Sequence, residues 1–381
     1  MSYEITIHDK LDDIPANEWN ALVRDNHPFM RHEFLAAMEH HGCVGETFGW
    51  LPCHVAVRES GELVAAMPLY RKTNSYGEFV FDHAWADAWR RAGLDYYPKL
   101  VSAVPYTPAT GQRLLCREGE DARWWPALIE TGRRLARETG ASGFHCLFAE
   151  PAEQDFMEGQ MLARHDCQFH WRNRDYVDFE DFLARLRAKK RKNIRQERRR
   201  VRQAGIRFRV LDGDTASERD WADFAHFYDR LFDEKWGMAT FNQGFFMAVA
   251  RALPDQVVLV MADRDERCIA GALMYRSDHV LYGRHWGCIE QVEHLHFETC
   301  YYQGIEYCIR HGLKRFEPGA QGEHKIARGF LPTMTRSAHW LCDNPFQRSI
   351  EAFVEHERAA IDGYIEDASR LSPYRQEQDS S

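Results

Sequence analysis

Apolar positions along the chain fall into an arrangement that occurs twice. The run CHVAVRESGELVAAMPLYR (53–71) and the run VVLVMADRDERCIAGALMYR (257–276) each read as two apolar strands joined by a polar turn, ESGE in one and DRDE in the other. Both end in Tyr-Arg, which aligns Arg71 with Arg276. Ahead of each lies a short helical pattern, FMRHEFLAAMEHHG from Phe29 and FNQGFFMAVARALP from Phe241, in which Phe29, Phe34 and Ala36 fall on Phe241, Phe246 and Ala248. Behind each lies a longer helical pattern that ends at a glycine before a short apolar strand. These are WWPALIETGRRLARETGASGFHCLF and HFETCYYQGIEYCIRHGLKRFE. Repetition at this scale predicts two α/β domains in tandem, each a mixed sheet flanked by helices. The expected boundaries are 1–178 and 179–370, with 371–381 a flexible tail.

Composition agrees with packed domains, because 44% of the 381 residues are hydrophobic and 13% aromatic. The ten cysteines contain no Cys-x-x-Cys pair, and in a chain of this length they do not suggest a disulfide framework. No apolar stretch reaches membrane-spanning length, and MSYEITIHDKLDDIPANEW lacks the apolar core of a signal peptide. The expectation is a cytoplasmic protein.

Charge is distributed unevenly. Between Arg187 and Arg202, ten of sixteen residues are Lys or Arg and one, Glu197, is acidic. That segment carries +9 inside a chain of net −9, which leaves −18 elsewhere. Leu183, Leu186, Ile194 and Val201 are spaced as one apolar face of a helix, QAG closes it, and IRFRV alternates as a strand. Such one-sidedness suits a polyanion-binding surface better than a merely solvated face, which mixes signs. Arg191, Arg195, Arg198 and Arg202 are the expected outward contacts.

The helix pattern L-x-x-K-x-R-x-x-I followed by G-I-x-F-x-V, here LRAKKRKNIRQERRRVRQAGIRFRV (Leu186–Val210), resembles the entry to the second domain of FemAB-type aminoacyltransferases. YYPKLVSAVPYTPATGQRLL (Tyr96–Leu115) and the long stretch from His294 to Leu341 resemble the FemAB-like family of bacterial predicted N-acyltransferases. The resemblance implies two GNAT-like domains related to peptidoglycan biosynthesis. It also implies transfer of an activated acyl or aminoacyl group to an amine, on a small-molecule or cell-wall-precursor acceptor. One departure bears on the donor. The Arg/Gln-x-x-Gly-x-Gly/Ala loop that holds the pyrophosphate of coenzyme A in GNAT enzymes has its nearest match in RETGAS (Arg137–Ser142), which closes a helix rather than opening one. No permanently bound cofactor is expected; the donor is a co-substrate, aminoacyl-tRNA or acyl-CoA. The basic helix would meet tRNA or an anionic membrane surface.

Candidate chemistry concentrates in EPGAQGEHKIARGFLPT (Glu317–Thr333), where three glycines frame Gln321, Glu323, His324, Lys325 and Arg328. The string HKIARGF is similar to the F-K-x-x-F-G motif of FemAB-type enzymes, with the Gly-Phe order reversed. On that resemblance Lys325 stabilises an oxyanion or a phosphate. Glu323, Glu298 in the first turn of a helix, and His285 in GRHWG are the other catalytic candidates; Glu298 equally complements a helix dipole, and His285 equally fills a core. Gln321, His324 and Arg328 are expected to bind substrate, as are Lys99, Thr107 and Thr110 on the wall of an acceptor cleft. The His294, His296, Glu298 and Cys300 group has no second ligand pair, so no metal is expected. Two other readings stand beside transfer: a non-catalytic module for an anionic ligand (cell-wall precursor, lipid or RNA), and an acetyl-CoA-dependent GNAT acetyltransferase.

Overall fold

The structure, a computed structural model, describes residues 3–234, 237–320 and 322–375. It divides into two compact units, Met1–Asp166 with Met334–Gly363, and Cys167–Thr333 with Tyr364–Ser381. Each unit is therefore discontinuous, whereas the sequence suggested a single crossing at 178/179. Residues 334–363 belong to the first unit because Ser337–Leu341 pair antiparallel with the strand Gly143–Leu147.

In the first unit, Tyr3–His8, His54–Glu59, Glu62–Met67 and Leu115–Cys116 form an antiparallel sheet in that order. A second array runs from Ser337–Leu341 through Gly143–Leu147, Lys99–Ser102 and Tyr70–Lys72 to Trp50–Pro52. Its Lys99–Ser102 and Gly143–Leu147 strands are parallel. The helix Asp121–Glu138 lays Leu128, Ile129 and Ala136 on a core that contains Val55, Val57, Met67 and Phe144. In the second unit the strand order is Arg207–Leu211, Val257–Arg264, Arg267–Arg276, Val280–Cys288 and Arg315–Glu317. Trp171 and Arg172 then pair with the last of these. Only Val280–Cys288 and Arg315–Glu317 pair parallel, so this sheet too is mixed.

The repeat seen in the sequence is present down to hairpin detail. Both turns place two residues at positive φ, Ser60 (52°) with Gly61 (86°) and Asp265 (49°) with Glu266 (62°). This is the two-residue turn whose twist matches that of the strands. Both hairpins then shift register at the same step. Val64 is the extra residue between the pairs Arg58↔Leu63 and Val57↔Ala65, and Ile269 lies between Asp263↔Cys268 and Ala262↔Ala270. Both long helices exit through a left-handed glycine, Gly140 (φ 66°) and Gly312 (φ 67°), a conformation without steric cost only for glycine.

Two expectations are corrected. The basic segment is not one helix from Leu183 to Val201 but two, Phe179–Ala184 and Ala188–Gln203. Between them the backbone bonds sideways. The Arg187 N–H donates to the Pro373 carbonyl (2.9 Å) and the Arg375 N–H to the Arg185 carbonyl (3.0 Å), with Leu186 bridged to Tyr374. The tail is correspondingly docked as far as Arg375: Tyr374 is buried and its hydroxyl donates to the Gly329 carbonyl (2.8 Å). Among the described residues no helix is long and apolar enough to cross a membrane.

Candidate active site

In the second unit the parallel pair Val280–Cys288 and Arg315–Glu317 is in register over three residues only, Val280↔Arg315 to Tyr282↔Glu317. The cause lies in the next residue, Pro318, which has no N–H to continue the ladder. On the other edge of Val280–Cys288, Arg284 is the extra residue of a bulge, between the pairs Met274↔Gly283 and Leu273↔His285. Bulges re-aim side chains and sharpen local twist. Ladder pairing thus stops before Gly283, although Pro318 still packs against it, and a cavity of about 140 Å³ is lined by both. Arg284, His285, Trp286, His296, Cys300, Tyr301 and Pro318 are among its walls. Burial lowers the Arg284 pKa to about 10, which leaves the guanidinium charged at neutral pH.

The wall contributed by Cys300 and Tyr301 lies in a π-helical turn, Glu298–Tyr302, between Leu295–Phe297 and Gln303–His311. One wide turn inside a helix is common at functional sites. Glu298 sits in that turn rather than at the helix start. It is buried, and it accepts Nε (3.1 and 3.0 Å) and Nη2 (2.9 Å) of Arg198 and the Gln303 amide (2.8 Å). Its lone pairs are taken up by an ion pair, the geometry of a clamp rather than of a free base.

The segment expected as an open glycine-rich loop is wound into a 3₁₀ turn, Glu323–Arg328, between Gly322 and Gly329. The winding buries Lys325, which is 3% exposed and donates from Nζ to the Gly319 carbonyl (2.7 Å). Burial lowers its pKa to about 8, against a small opposing effect of Cys300. Tyr301 and His324 meet through Oη and Nε2 (3.0 Å), and burial followed by the charges of Arg328 and Lys325 lowers the His324 pKa. Arg328 lies over the Phe297 ring (3.4 Å) and donates to the His324 carbonyl and to Glu197 (both 2.8 Å). Glu323 is exposed and accepts from the Tyr364 hydroxyl (2.7 Å). Gln321 lies outside the described residues. His285 lines the cavity but packs against Phe241 (5.0 Å), Tyr228 (5.1 Å) and Phe246 (6.0 Å), and burial holds it neutral. Among the described residues no three His, Cys, Asp or Glu side chains gather as a metal set.

Lys325, His324 and Arg328 are thus brought together. Of the candidates in the first unit, Lys99 and Thr107 are interior residues and Thr110 is half-buried. Lys99 is 1% exposed and ion-paired with Glu78 (2.7 Å) and Asp82. Burial opposes its charge, and the two carboxylates outweigh burial and raise its pKa. Thr107 is buried and donates to the Pro105 carbonyl (3.1 Å); the Thr110 carbonyl is bonded to His27 Nε2 (2.9 Å).

On the basic helix, Arg195 and Arg202 are exposed, Arg195 beside Glu180. Arg191 is half-buried and bonded to the Leu186 carbonyl (3.3 Å). Arg198 is not outward: it is turned in onto Glu298 and onto Glu306 (2.8 Å), over the Phe179 ring (4.3 Å). Helical spacing carried that signal, because Glu197 and Arg198 share the i, i+3, i+4, i+7 stripe with buried Ile194 and Val201. The sequence reading missed Arg284, Trp286, Cys300 and Tyr301 as cavity walls. The proline directly after a short strand was the available mark.

A family model described as FemAB-like, peptidoglycan biosynthesis/recognition, matches residues 10–376. No curated protein sequence matches the chain. Among solved structures the chain is similar to FemX, at 10% identity over 92% of this chain and 100% of that one, with a TM-score of 0.54. It is similar to the C-terminal domain of a putative lysylphosphatidylglycerol synthetase from Agrobacterium fabrum, at 10% identity over 90% and 95% of the two chains and a TM-score of 0.53. It is also similar to L-PGS from Bacillus licheniformis, at 11% identity over 90% and 97% and a TM-score of 0.51. At such identities the likeness speaks for the fold alone, an α/β chain of mixed sheets and helices like the one the internal repeat predicted.

Proposed function

The chain belongs to the FemAB-like family, and from that premise we propose that its second unit transfers an activated acyl or aminoacyl group to an amine at the cavity where the pairing of Val280–Cys288 with Arg315–Glu317 ends. The observation that carries the reading is the buried Lys325, bonded to the Gly319 carbonyl just past the point where Pro318 ends the strand pairing. A neutral amine attacks the donor carbonyl, the tetrahedral oxyanion collapses, and the alcohol or thiol leaving group departs with a proton, so that an amide replaces an ester or thioester. A lysine with a pKa of about 8 remains an ammonium at neutral pH, and in a water-poor wall it stabilises that oxyanion more strongly than an exposed lysine would. Tyr301 lines the cavity and is bonded to His324, whose carbonyl Arg328 holds; these three would position donor or acceptor.

The donor in this reading is an aminoacyl-tRNA or acyl-CoA used as co-substrate, and the missing pyrophosphate loop favours the former. The family description favours a cell-wall precursor as acceptor. The exposed face of the basic helix, with Lys189, Lys192, Arg195, Arg199 and Arg202, would hold the polyanionic part of the donor, or an anionic membrane that presents the acceptor. The test incubates the protein with labelled acyl-CoAs and charged tRNAs in the presence of amine acceptors. We expect one donor class to lose its acyl group, and Lys325→Ala to slow transfer by about 10²–10³-fold with donor binding retained. Binding without acyl loss from any donor would make the protein a binding module instead.

A further inference from the structure

The basic helix contains one acid, and its position needs an explanation. Glu197 is the sole carboxylate between Arg187 and Arg202, where electrostatics alone would favour it on the exposed face among the cations. It is instead on the inner stripe, with 15% of its side chain exposed. One oxygen accepts from Arg328 Nη2 (2.8 Å) and the other from the Tyr302 hydroxyl. Arg198 beside it reaches Glu298 and Glu306. The same helix turn therefore grips two elements of the candidate site: the π-turn that carries the cavity residues Cys300 and Tyr301, and the 3₁₀ turn that carries Lys325.

We infer that Glu197 is a positioning residue for Lys325, acting through Arg328. Arg328 closes the 3₁₀ turn on itself through the His324 carbonyl, and its guanidinium lies over the Phe297 ring with 9% of the side chain exposed. A cation so enclosed needs a counter-charge, and Glu197 is the carboxylate bonded to it. Without that charge Arg328 is driven toward water. It takes with it the turn that holds Lys325 against the Gly319 carbonyl. Arg198 braces the other element in the same way, through two carboxylates. The helix that presents cations outward is thus also the strut on which the site is assembled.

This inference rests on Lys325 being the working group of the proposed transfer, but its test does not need the transfer to be known. Acylation of each lysine by a water-soluble N-hydroxysuccinimide ester at pH 9 is followed by peptide mass spectrometry in wild type, Glu197→Gln and Arg199→Gln. Lys99, buried in the first unit, is the reference for general loosening. We expect Glu197→Gln to raise the Lys325 labelling rate at least tenfold while Lys99 is unchanged, and Arg199→Gln, on the exposed face, to change neither. If Glu197→Gln does not fold, Arg328→Gln is expected to give the same pattern. Unchanged Lys325 labelling in a folded variant, or a rise shared by Lys99, would overturn the inference. Where the transfer assay gives turnover, Glu197→Gln lowers kcat at least tenfold with little change in the donor KM. Where it gives none, the transfer reading fails and the labelling result still decides the role of Glu197.

Discussion

Replacing Lys325 with methionine separates the cost of the buried charge from its use. The side chain is 3% exposed, and its pKa falls from the ordinary 10.5 to about 8 because burial disfavours the ammonium. At roughly 1.4 kcal/mol per decade, that corresponds to about 3 kcal/mol of instability borne by the folded protein at neutral pH. Methionine has a similar length and no charge, but it leaves the Gly319 carbonyl without its donor, at about 1–3 kcal/mol. Lys325→Met is therefore expected to be as stable as wild type at pH 7 or slightly more so, an unusual outcome for a buried substitution. The pH dependence is sharper. Below pH 8 the lysine is protonated in both folded and unfolded chains, and the folded state bears the full cost. Between pH 8 and 10.5 the folded protein gives up its proton while the unfolded chain keeps it. Wild type should then gain on Lys325→Met by up to about 3 kcal/mol, a gain lost again as pH falls from 10.5 to 8. Urea unfolding of both proteins at half-unit steps from pH 7 to 10.5 measures the difference, and titrations common to both cancel. A difference that stays flat across that range would refute the burial of a charged Lys325.

Two other outcomes follow from backbone geometry. Gly287→Ala would place a Cβ 2.3 Å from the Phe227 carbonyl oxygen and 2.5 Å from its carbon, both backbone atoms of a helix that packs on the sheet. Denaturant midpoints should show a loss of at least about 1–3 kcal/mol. Truncation after Leu371 removes the partners of the Arg185 carbonyl and the Arg187 N–H. Hydrogen exchange should then show lost amide protection at Arg187, with Ile194 and Val201 still protected.

What the sequence made legible was local. Polar turns between apolar runs, a glycine after each long helix and the charge run were all visible, and the corresponding elements are where those signals put them. Hidden features depend on partners far along the chain. Nothing near residues 334–363 marks their return to the first unit, because the pairing of Ser337–Leu341 with Gly143–Leu147 joins segments about 190 residues apart. Lys99 looked like a cleft residue because the two carboxylates that neutralise it, Glu78 and Asp82, lie on another segment. Glu298 looked like a base for the same reason, since Arg198 is a hundred positions away in sequence. Charged side chains are the hardest to place from sequence, because burial is tolerated only with a partner and the partner is set by the fold.

The duplicated frame also says where chemistry has room. Among the described residues each unit has one parallel strand pair three residues long, Leu100–Ser102 with Phe144–Cys146 and Val280–Tyr282 with Arg315–Glu317. Beyond Ser102 the chain refills the gap: Ala103, Val104, Tyr106, Thr107 and Ala109 are all buried, and Gly111 bridges to Ala149 in parallel. The Tyr106 hydroxyl locks this filling by donating to the Cys43 carbonyl (2.9 Å). Beyond Tyr282 and Glu317 the second unit does the reverse. Pro318 ends the pairing, the strand runs on to Cys288 along a cavity, and a cationic lysine is buried nearby. A close-packed interior cannot admit a donor and an acceptor together without first being emptied, at several kcal/mol for each large side chain displaced. On the proposed reading the first copy of the repeat serves as support, with Lys99 committed to an internal ion pair with Glu78 and Asp82. The other has kept the opening, which is why the proposed transfer is assigned to it.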